Sequence, residues 1–113
     1  MAASAFTNIA SNQTDASVVA SKTGRIIRVL GMACEAGATA TNITFNTKGS
    51  GAGTAISMLF ALPANGGFVL PIVSSEGQSP WFQTNSGEAL TATTGVGSTV
   101  GVHVIYDVKL PVS

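Results

Sequence analysis

The chain has 113 residues, of which five are Lys or Arg and five are Asp or Glu, so its formal net charge at pH 7 is zero. Charged residues make up 9% of the chain and hydrophobic residues 45%, whereas an ordinary soluble domain has about 25% charged residues. This balance argues against binding to nucleic acid or to an anionic membrane, because both require clustered Lys and Arg.

The amino-terminal segment, residues 1–21, is small and polar and is predicted to form an extended arm. Phe6 and Ile9 are isolated apolar residues there, too few to form a core of their own. The segment lacks the charged and continuous apolar regions of a signal peptide. Residues 22–113 are predicted to form a single domain, in which no run approaches the roughly 20 apolar residues of a transmembrane helix.

Short β-rich runs separated by turn-forming clusters follow, and no helical period persists long enough to predict a helix. Eight strands are predicted, over residues 16–20, 25–34, 41–47, 55–62, 67–73, 80–83, 88–93 and 98–110. The second of these is apolar on both faces and should be covered on both sides, whereas the last alternates and should have one core face. The pattern predicts an all-β fold, an antiparallel β-sandwich of about eight strands that is jelly-roll-like or of another sandwich type.

The segment Pro63–Pro71, PANGGFVLP, separates two of these strands. Its Asn65-Gly66 pair is typical of a hairpin turn, because both residue types tolerate positive φ. Pro71 lacks an N–H group, so it should lie at a sheet edge, a bulge or a strand end. The segment is therefore predicted to be a turn that begins a strand rather than a binding loop.

Catalytic and metal-binding patterns are weak. Residues 48–54, KGSGAGT, have the glycines of a phosphate-binding loop but lack Lys directly before the final Thr and a helix after it. His103 and Cys34 are single residues of their types, which is too few for a structural zinc site, and no serine lies in a nucleophile elbow. Cys34 is predicted to be a small buried residue. We expect no enzymatic activity, no cofactor, no metal and no small-molecule substrate.

Two carboxylates, Glu76 and Glu88, flank the aromatic pair Trp81-Phe82. Such a pair could describe a glycoside hydrolase or a sugar-binding groove, although solvated turn residues are the commoner interpretation. Burial of Trp81 and Phe82 in the core or between subunits is the favoured role for the aromatic pair.

A surface with so few charges favours association with other copies or with a larger assembly. Arg25 and Arg28 lie three residues apart, so a strand would place them on opposite faces, and either solvation or an ion pair with a partner subunit is open. The candidate interface residues are Phe6, Ile9, Arg25, Arg28, Trp81 and Phe82.

Six short segments follow one another along the chain. They are RIIRVL at 25–30, TNITF at 41–45, NGGFVLP at 65–71, WFQT at 81–84, GEAL at 87–90 and the strand 101–106. With these segments the chain resembles small β-sandwich structural proteins of tailed bacteriophages and is similar to capsid decoration, or cement, proteins. The resemblance covers residues 22–109.

The resemblance implies a homotrimer at three-fold positions of the shell that ties major capsid subunits together. It also implies a location on the capsid exterior of the virion, after assembly in the cytoplasm of a bacterial host. On this hypothesis the arm over residues 1–21 would act as a clasp that orders on contact. A head-fibre base, a tail component and a carbohydrate-binding module are the alternatives.

Overall fold

The computed structural model describes residues 3–73 and 79–110, which form two antiparallel sheets packed face to face. The strands are β1 (Ala3–Ile9), β2 (Ala16–Val19), β3 (Ile26–Ala36), β4 (Thr41–Lys48), β5 (Thr54–Ala55), β6 (Phe60–Leu62), β7 (Gly67–Leu70), β8 (Phe82–Gln83), β9 (Ala89–Thr94) and β10 (Val100–Lys109). The described residues contain no helix, and hence none that could cross a membrane. The prediction of an all-β antiparallel sandwich is confirmed.

The strand order is that of a jelly roll. Sheet A has the order β1-β10-β3-β7, with β8 also paired to β3, and sheet B has the order β2-β9-β4-β5, with β6 also paired to β4. Since β5 and β6 pair with one edge of β4, and β7 and β8 with one edge of β3, each pair acts as one interrupted strand. Counting each pair once reduces the ten strands to eight, arranged 1-8-3-6 and 2-7-4-5.

The amino-terminal segment is part of the sandwich and not a free arm. All seven residues of β1 pair with β10, from Ala3 opposite Tyr106 to Ile9 opposite Val100, and β2 pairs with β9. A strand at a sheet edge needs only a few inward apolar residues, because backbone hydrogen bonds to its neighbour satisfy the rest of the segment. The prediction of an extended arm over residues 1–21 is therefore wrong for residues 3–9 and 16–19, which are strands of the sandwich, and the clasp loses the free arm on which it was based.

The core lies between the two sheets. Its largest fully buried side chains include Phe45, Ile27, Ile43 and Leu90, and Phe45 also stacks on Phe82 with ring centroids 5.4 Å apart. These apolar side chains come from both sheets, so burial of this shared surface joins them.

The prediction that β3 is covered on both faces is wrong for its second half, where Ala33 and Glu35 are exposed, and a bulge explains why apolar residues nevertheless occupy both registers. Ile105 is opposite Gly31 and Tyr106 is opposite Val29, so Leu30 has no counterpart on β10. The extra residue reverses the alternation, and inward residues change from Ile27 and Val29 to Met32 and Cys34. Leu30 is also buried, with 2% of its side chain exposed, outside the main core cluster.

The turn predicted within PANGGFVLP is present, but the two strands that it joins do not pair with each other. The N–H of Gly66 donates to the carbonyl of Pro63 at 3.0 Å, and Asn65 has a φ of 55°. The turn carries the chain from β6 in sheet B to β7 in sheet A, so it is a connection between sheets rather than a hairpin. Pro71 directly follows β7, at the end of an edge strand as predicted.

Candidate functional site

The outer face of sheet A carries two adjacent rows of side chains that cross the whole sheet. Strand register defines them: the Phe6 row contains Phe6, His103, Ala33 and Val69, and the Gly101 row contains Asn8, Gly101, Glu35 and Gly67. In each row the four residues come from β1, β10, β3 and β7 in that order. Alternation along each strand turns these residues away from the core, so they form a single solvent-facing surface.

This surface is an open groove with a volume of about 610 Å³. Ala33, Gly67 and Gly101 have side chains no larger than a methyl group and form low points between taller neighbours. Phe6 and His103 stand together at one side, with ring centroids 6.0 Å apart. A second hollow of about 260 Å³ adjoins the groove and is lined by residues that include Ile72 and Ile105.

Large apolar side chains on this face remain in contact with solvent. Phe6 is 77% exposed, Val69 is 72% exposed and Ile72 is 69% exposed. Contiguous apolar surface of this kind marks interaction sites in soluble proteins, because exposure forgoes about 25 cal/mol for each Å² that burial would gain. The outer face of sheet A is therefore the candidate interaction surface.

Two glycines of the Gly101 row differ in what they do for the fold. A Cβ atom on Gly67 would collide with the carbonyl oxygen of Cys34, so the pairing of β7 with β3 requires glycine there. A Cβ atom on Gly101 would meet the Glu35 carbonyl oxygen at an ordinary 4.0 Å and Asn8 Oδ1 at a tight 3.3 Å, and the tip of the exposed Asn8 side chain has to shift by a few tenths of an ångström to admit it. Glycine inside a strand weakens it and often marks the close approach of a ligand or another chain.

The predicted interface residues are divided between the surface and the core. Phe6 lies on the candidate surface, but Ile9 is 3% exposed and belongs to the core. Phe82 also packs in the core, against Phe45, and Trp81 is 44% exposed and donates its indole N–H to the carbonyl of Pro71 at 2.8 Å. Ile9 is therefore corrected to a core residue, and Phe82 takes the core role of the two that were predicted for it, because their strands direct both side chains between the sheets.

The two predicted arginines also have separate positions. Arg25 is exposed in a turn, where its N–H donates to the carbonyl of Lys22 at 3.0 Å. Arg28 forms an ion pair with Asp107 at 3.8 Å, and the carboxylate is 1% exposed. Arg28 thus pairs within the chain, an outcome that neither of the two open interpretations named, because Arg28 and Asp107 are directly opposite on β3 and β10.

The remaining chemical candidates have structural partners. Glu88 accepts hydrogen bonds from Thr47 Oγ1 at 2.8 Å and from Asn85 Nδ2 at 3.3 Å, whereas Glu76 lies outside the described residues. In the glycine-rich connection between β4 and β5, the N–H of Gly53 donates to Asp15 Oδ2 at 3.0 Å. The negatively charged group that this glycine-rich loop binds is thus the Asp15 carboxylate of the chain itself.

His103 and Cys34 are also apart from any metal-binding cluster. The part of the chain that the structure describes has no group of three or more His, Cys, Asp or Glu residues that could hold a metal ion. His103 is exposed, in the outward register that the sequence predicted. Cys34 faces the core, and burial raises the pKa of its thiol from 9.0 to about 12, so it remains a neutral thiol near pH 7.

Sequence reasoning missed most of the candidate surface. Ala33, Val69 and Gly101 are unremarkable in the sequence, because their common row exists only through the register of four strands. The available signal was the alternation in β10, which placed Gly101 and His103 on the outward face.

No protein-family model and no curated protein matches the chain.

Proposed function

We propose that the chain is a non-enzymatic structural protein of a bacteriophage virion that decorates the capsid exterior and bridges major capsid subunits. The motifs that resemble decoration proteins and the jelly-roll strand order both support this function. On this proposal three copies gather at each three-fold position of the shell.

The observation that carries the proposal is the presence of two separate apolar surfaces. One is the outer face of sheet A, and the other is the Met58-Leu59 pair beside β6 in sheet B, with side chains 69% and 56% exposed. A protein that bridges subunits needs at least two contact surfaces, whereas a small-molecule site needs one concave pocket. We assign the Met58-Leu59 pair to contact with the shell.

Contact with the shell should depend mainly on apolar burial. The chain has ten charged residues in all, five of each sign, which are too few for extensive ion-pair networks. Burial of apolar area contributes about 25 cal/mol per Å² before the costs of association. Decoration should therefore persist at high salt.

The proposal is tested with undecorated heads of the phage whose genome encodes the chain. Purified protein is mixed with the heads, and bound copies and the heat resistance of the heads are measured. Saturable binding with three copies at each three-fold position and increased heat resistance are the expected results. Protein that does not bind the heads would contradict the proposal, and binding to isolated tails or fibres instead would favour another virion component.

A pair of variants locates the contact. Leu59→Asp should abolish binding to heads, because a carboxylate would be buried against the shell. Ser17→Asp is the matched control, since Ser17 is an exposed residue of β2 in the same sheet, and it should bind normally. Equal binding by the two variants would remove Met58-Leu59 from the contact.

A carbohydrate-binding module is the second candidate, because the solvent-facing ring of Phe6 lies beside the groove that contains Glu35 and Asn8. Aromatic rings of this kind stack on the apolar faces of sugars. Binding to a glycan array that disappears in Phe6→Ala, with folding retained, would favour this candidate over decoration.

A further inference from the structure

We propose that the outer face of sheet A is a self-complementary interface on which a second copy of the chain packs face to face. The two-fold axis would lie in the plane of the interface, parallel to the strands and between β10 and β3. This inference concerns the free protein, so it goes beyond the proposed capsid function and does not depend on it. On that function, the pair separates before three copies gather on the shell and use the same face.

Such an axis pairs each row with the same row of the second copy. It reverses the strand order, so β1 faces β7 of the second copy and β10 faces β3. Within the Phe6 row, Phe6 then faces Val69 and His103 faces Ala33.

The Gly101 row pairs in the same way. Asn8 then faces Gly67 of the second copy, and Glu35 faces Gly101. In three of the four pairings across the two rows, a longer side chain thus meets a residue with no side chain beyond Cβ. The fourth pairing, Phe6 with Val69, brings together two exposed apolar side chains.

This alternation of large and small residues lets two faces interlock at the spacing of about 10 Å that packed sheets adopt. It also accounts for Gly101, which the chain itself does not require to be glycine. Glu35 of one copy would occupy the space above Gly101 of the other. His103 of that other copy lies two residues from Gly101 on the same strand, so it is next to this carboxylate. An imidazole N–H could then donate to the carboxylate across the interface.

The other two-fold arrangement of facing sheets fits less well. An axis across the strands, along the Phe6 row, would stack Phe6 on Phe6 and His103 on His103. The small Ala33 would then face another Ala33 and leave a void, at the cost in dispersion contacts that voids carry. The axis parallel to the strands is therefore the arrangement to which the side chains point.

The size of the face determines the expected strength. Four strands about 4.8 Å apart and three outward residues along each strand cover a flat area of about 400 Å². Protruding side chains increase the accessible area, which remains below the roughly 800 Å² per partner of a standard interface. We therefore expect a dimer that forms and dissociates with protein concentration.

The first test measures solution mass by sedimentation over a range of protein concentrations, without phage heads. The wild-type chain should approach twice its mass of 11.3 kDa as concentration rises. Ala33→Arg should raise the dissociation constant by about tenfold or more, because it places a bulky cation at the centre of the face. Ala61→Arg is the matched control, since Ala61 is an exposed strand residue of sheet B, and it should associate like the wild type.

The second test uses disulfide cross-linking. Within one chain Phe6 and Val69 lie three strands apart, at about 14 Å, which is too far for a disulfide. The double variant Phe6→Cys/Val69→Cys should therefore form disulfide-linked dimers on mild oxidation. Phe6→Cys alone should not, because the two-fold axis places the two β1 strands at opposite edges. Native Cys34 is buried and should not interfere.

Several results would overturn the proposal. These are a chain that stays monomeric at every concentration, a mass that corresponds to an odd number of copies, association that Ala33→Arg does not weaken, and cross-linking by Phe6→Cys alone. A monomer whose binding to heads is lost in Ala33→Arg would show that the shell covers this face instead. That last result would overturn the pairing and leave the proposed capsid function intact.

Discussion

The two sheets of the sandwich differ in how the side chains that point away from the core find partners. On sheet B, outward side chains of β4 and β9 bond to one another: Asn46 Nδ2 donates to Thr93 Oγ1 at 2.9 Å and to Asp15 Oδ1 at 3.1 Å. On sheet A, three of the four residues of the Phe6 row, namely Phe6, Ala33 and Val69, have no polar side-chain atoms. The polar residues of β4 and β9 thus find partners within the chain, whereas the outer face of sheet A leaves apolar area unburied.

Asp15 is the centre of the polar network on sheet B. Its carboxylate accepts hydrogen bonds from Asn46 Nδ2, from Thr91 Oγ1 at 3.1 Å and from the N–H of Gly53 at 3.0 Å. These bonds hold β2, β4, β9 and the glycine-rich connection together, so the polar residues of sheet B serve the fold. The comparison teaches that a chain with few charges can satisfy the outward polar residues of β4 and β9 internally and leave the outer face of sheet A for a partner.

The largest expected effect separates two glycines on sheet A. Gly67→Ala should lower the free energy of unfolding by about 3 kcal/mol, because its Cβ would overlap the Cys34 carbonyl and displace β7. Gly101→Ala should change it by less than about 0.5 kcal/mol. Urea denaturation of both variants measures the difference, and the Ala33→Arg background removes the contribution of association. A comparable loss in Gly101→Ala would mean that the fold itself requires this glycine.

The next effect tests the network on sheet B. Asp15→Ala should lower the free energy of unfolding by about 2 kcal/mol, since three donors lose their acceptor and Asp15 has a φ of 52°, which alanine disfavours. Asp15→Asn keeps a carbonyl acceptor and tolerates positive φ, so it should lose less. Denaturation in the same background provides the measurement, and an unchanged midpoint in Asp15→Ala would show that the network does not stabilise sheet B.

A smaller effect follows from the thiol beneath the candidate surface. Burial raises the pKa of Cys34 from 9.0 to about 12, so the folded state retains a proton that the unfolded state loses above pH 9. The stability that the protonated thiol contributes to the folded state is fully present below pH 9 and should be lost between pH 9 and pH 12. Up to about pH 10 the loss is about 1 kcal/mol, because the slope only approaches about 1.4 kcal/mol per pH unit above the pKa of the unfolded thiol.

Other groups also titrate at alkaline pH, so the Cys34→Ala variant is needed to isolate the contribution of this thiol to the free energy of unfolding. The difference in unfolding free energy between wild type and variant should narrow as pH rises through this window. A difference that is constant with pH would show that the pKa of the thiol is the same in the folded and unfolded states, so that burial does not shield it from water.

The smallest expected effect concerns salt. Among the eight residues of the two rows, only Glu35 and His103 are ionisable, so pairing of copies should depend little on ionic strength. The dissociation constant should change by less than about threefold between about 0.05 and 0.5 M salt, measured by sedimentation. A steep salt dependence would show that charged residues elsewhere form the contact.

Alternation and turn residues predicted much of the fold. The inward valines of β10 and the Asn65-Gly66 turn could be predicted from the sequence, because each signal lies within a few neighbouring residues. The strand over residues 3–9 could not be predicted from the sequence, since β1 forms by pairing with β10, a strand about 100 residues away along the chain. Phe82 was ambiguous for a similar reason: whether an aromatic residue faces the core or a partner depends on which sheet lies opposite.

The candidate surface could be predicted only in part. The sequence placed His103 and Gly101 outward and selected Phe6, but it could not place Ala33 and Val69 beside them. Rows across a sheet are set by long-range register, and a shift of one residue would move each side chain to the other face.

Hydroxyl-radical footprinting of the concentrated and dilute protein tests the central claim, that the outer face of sheet A is the covered face, most directly. Oxidation of Phe6 and His103 should fall as concentration rises and copies pair, while oxidation of Met58 should stay the same without phage heads. Protection of Met58 with no change at Phe6 and His103 would contradict the account.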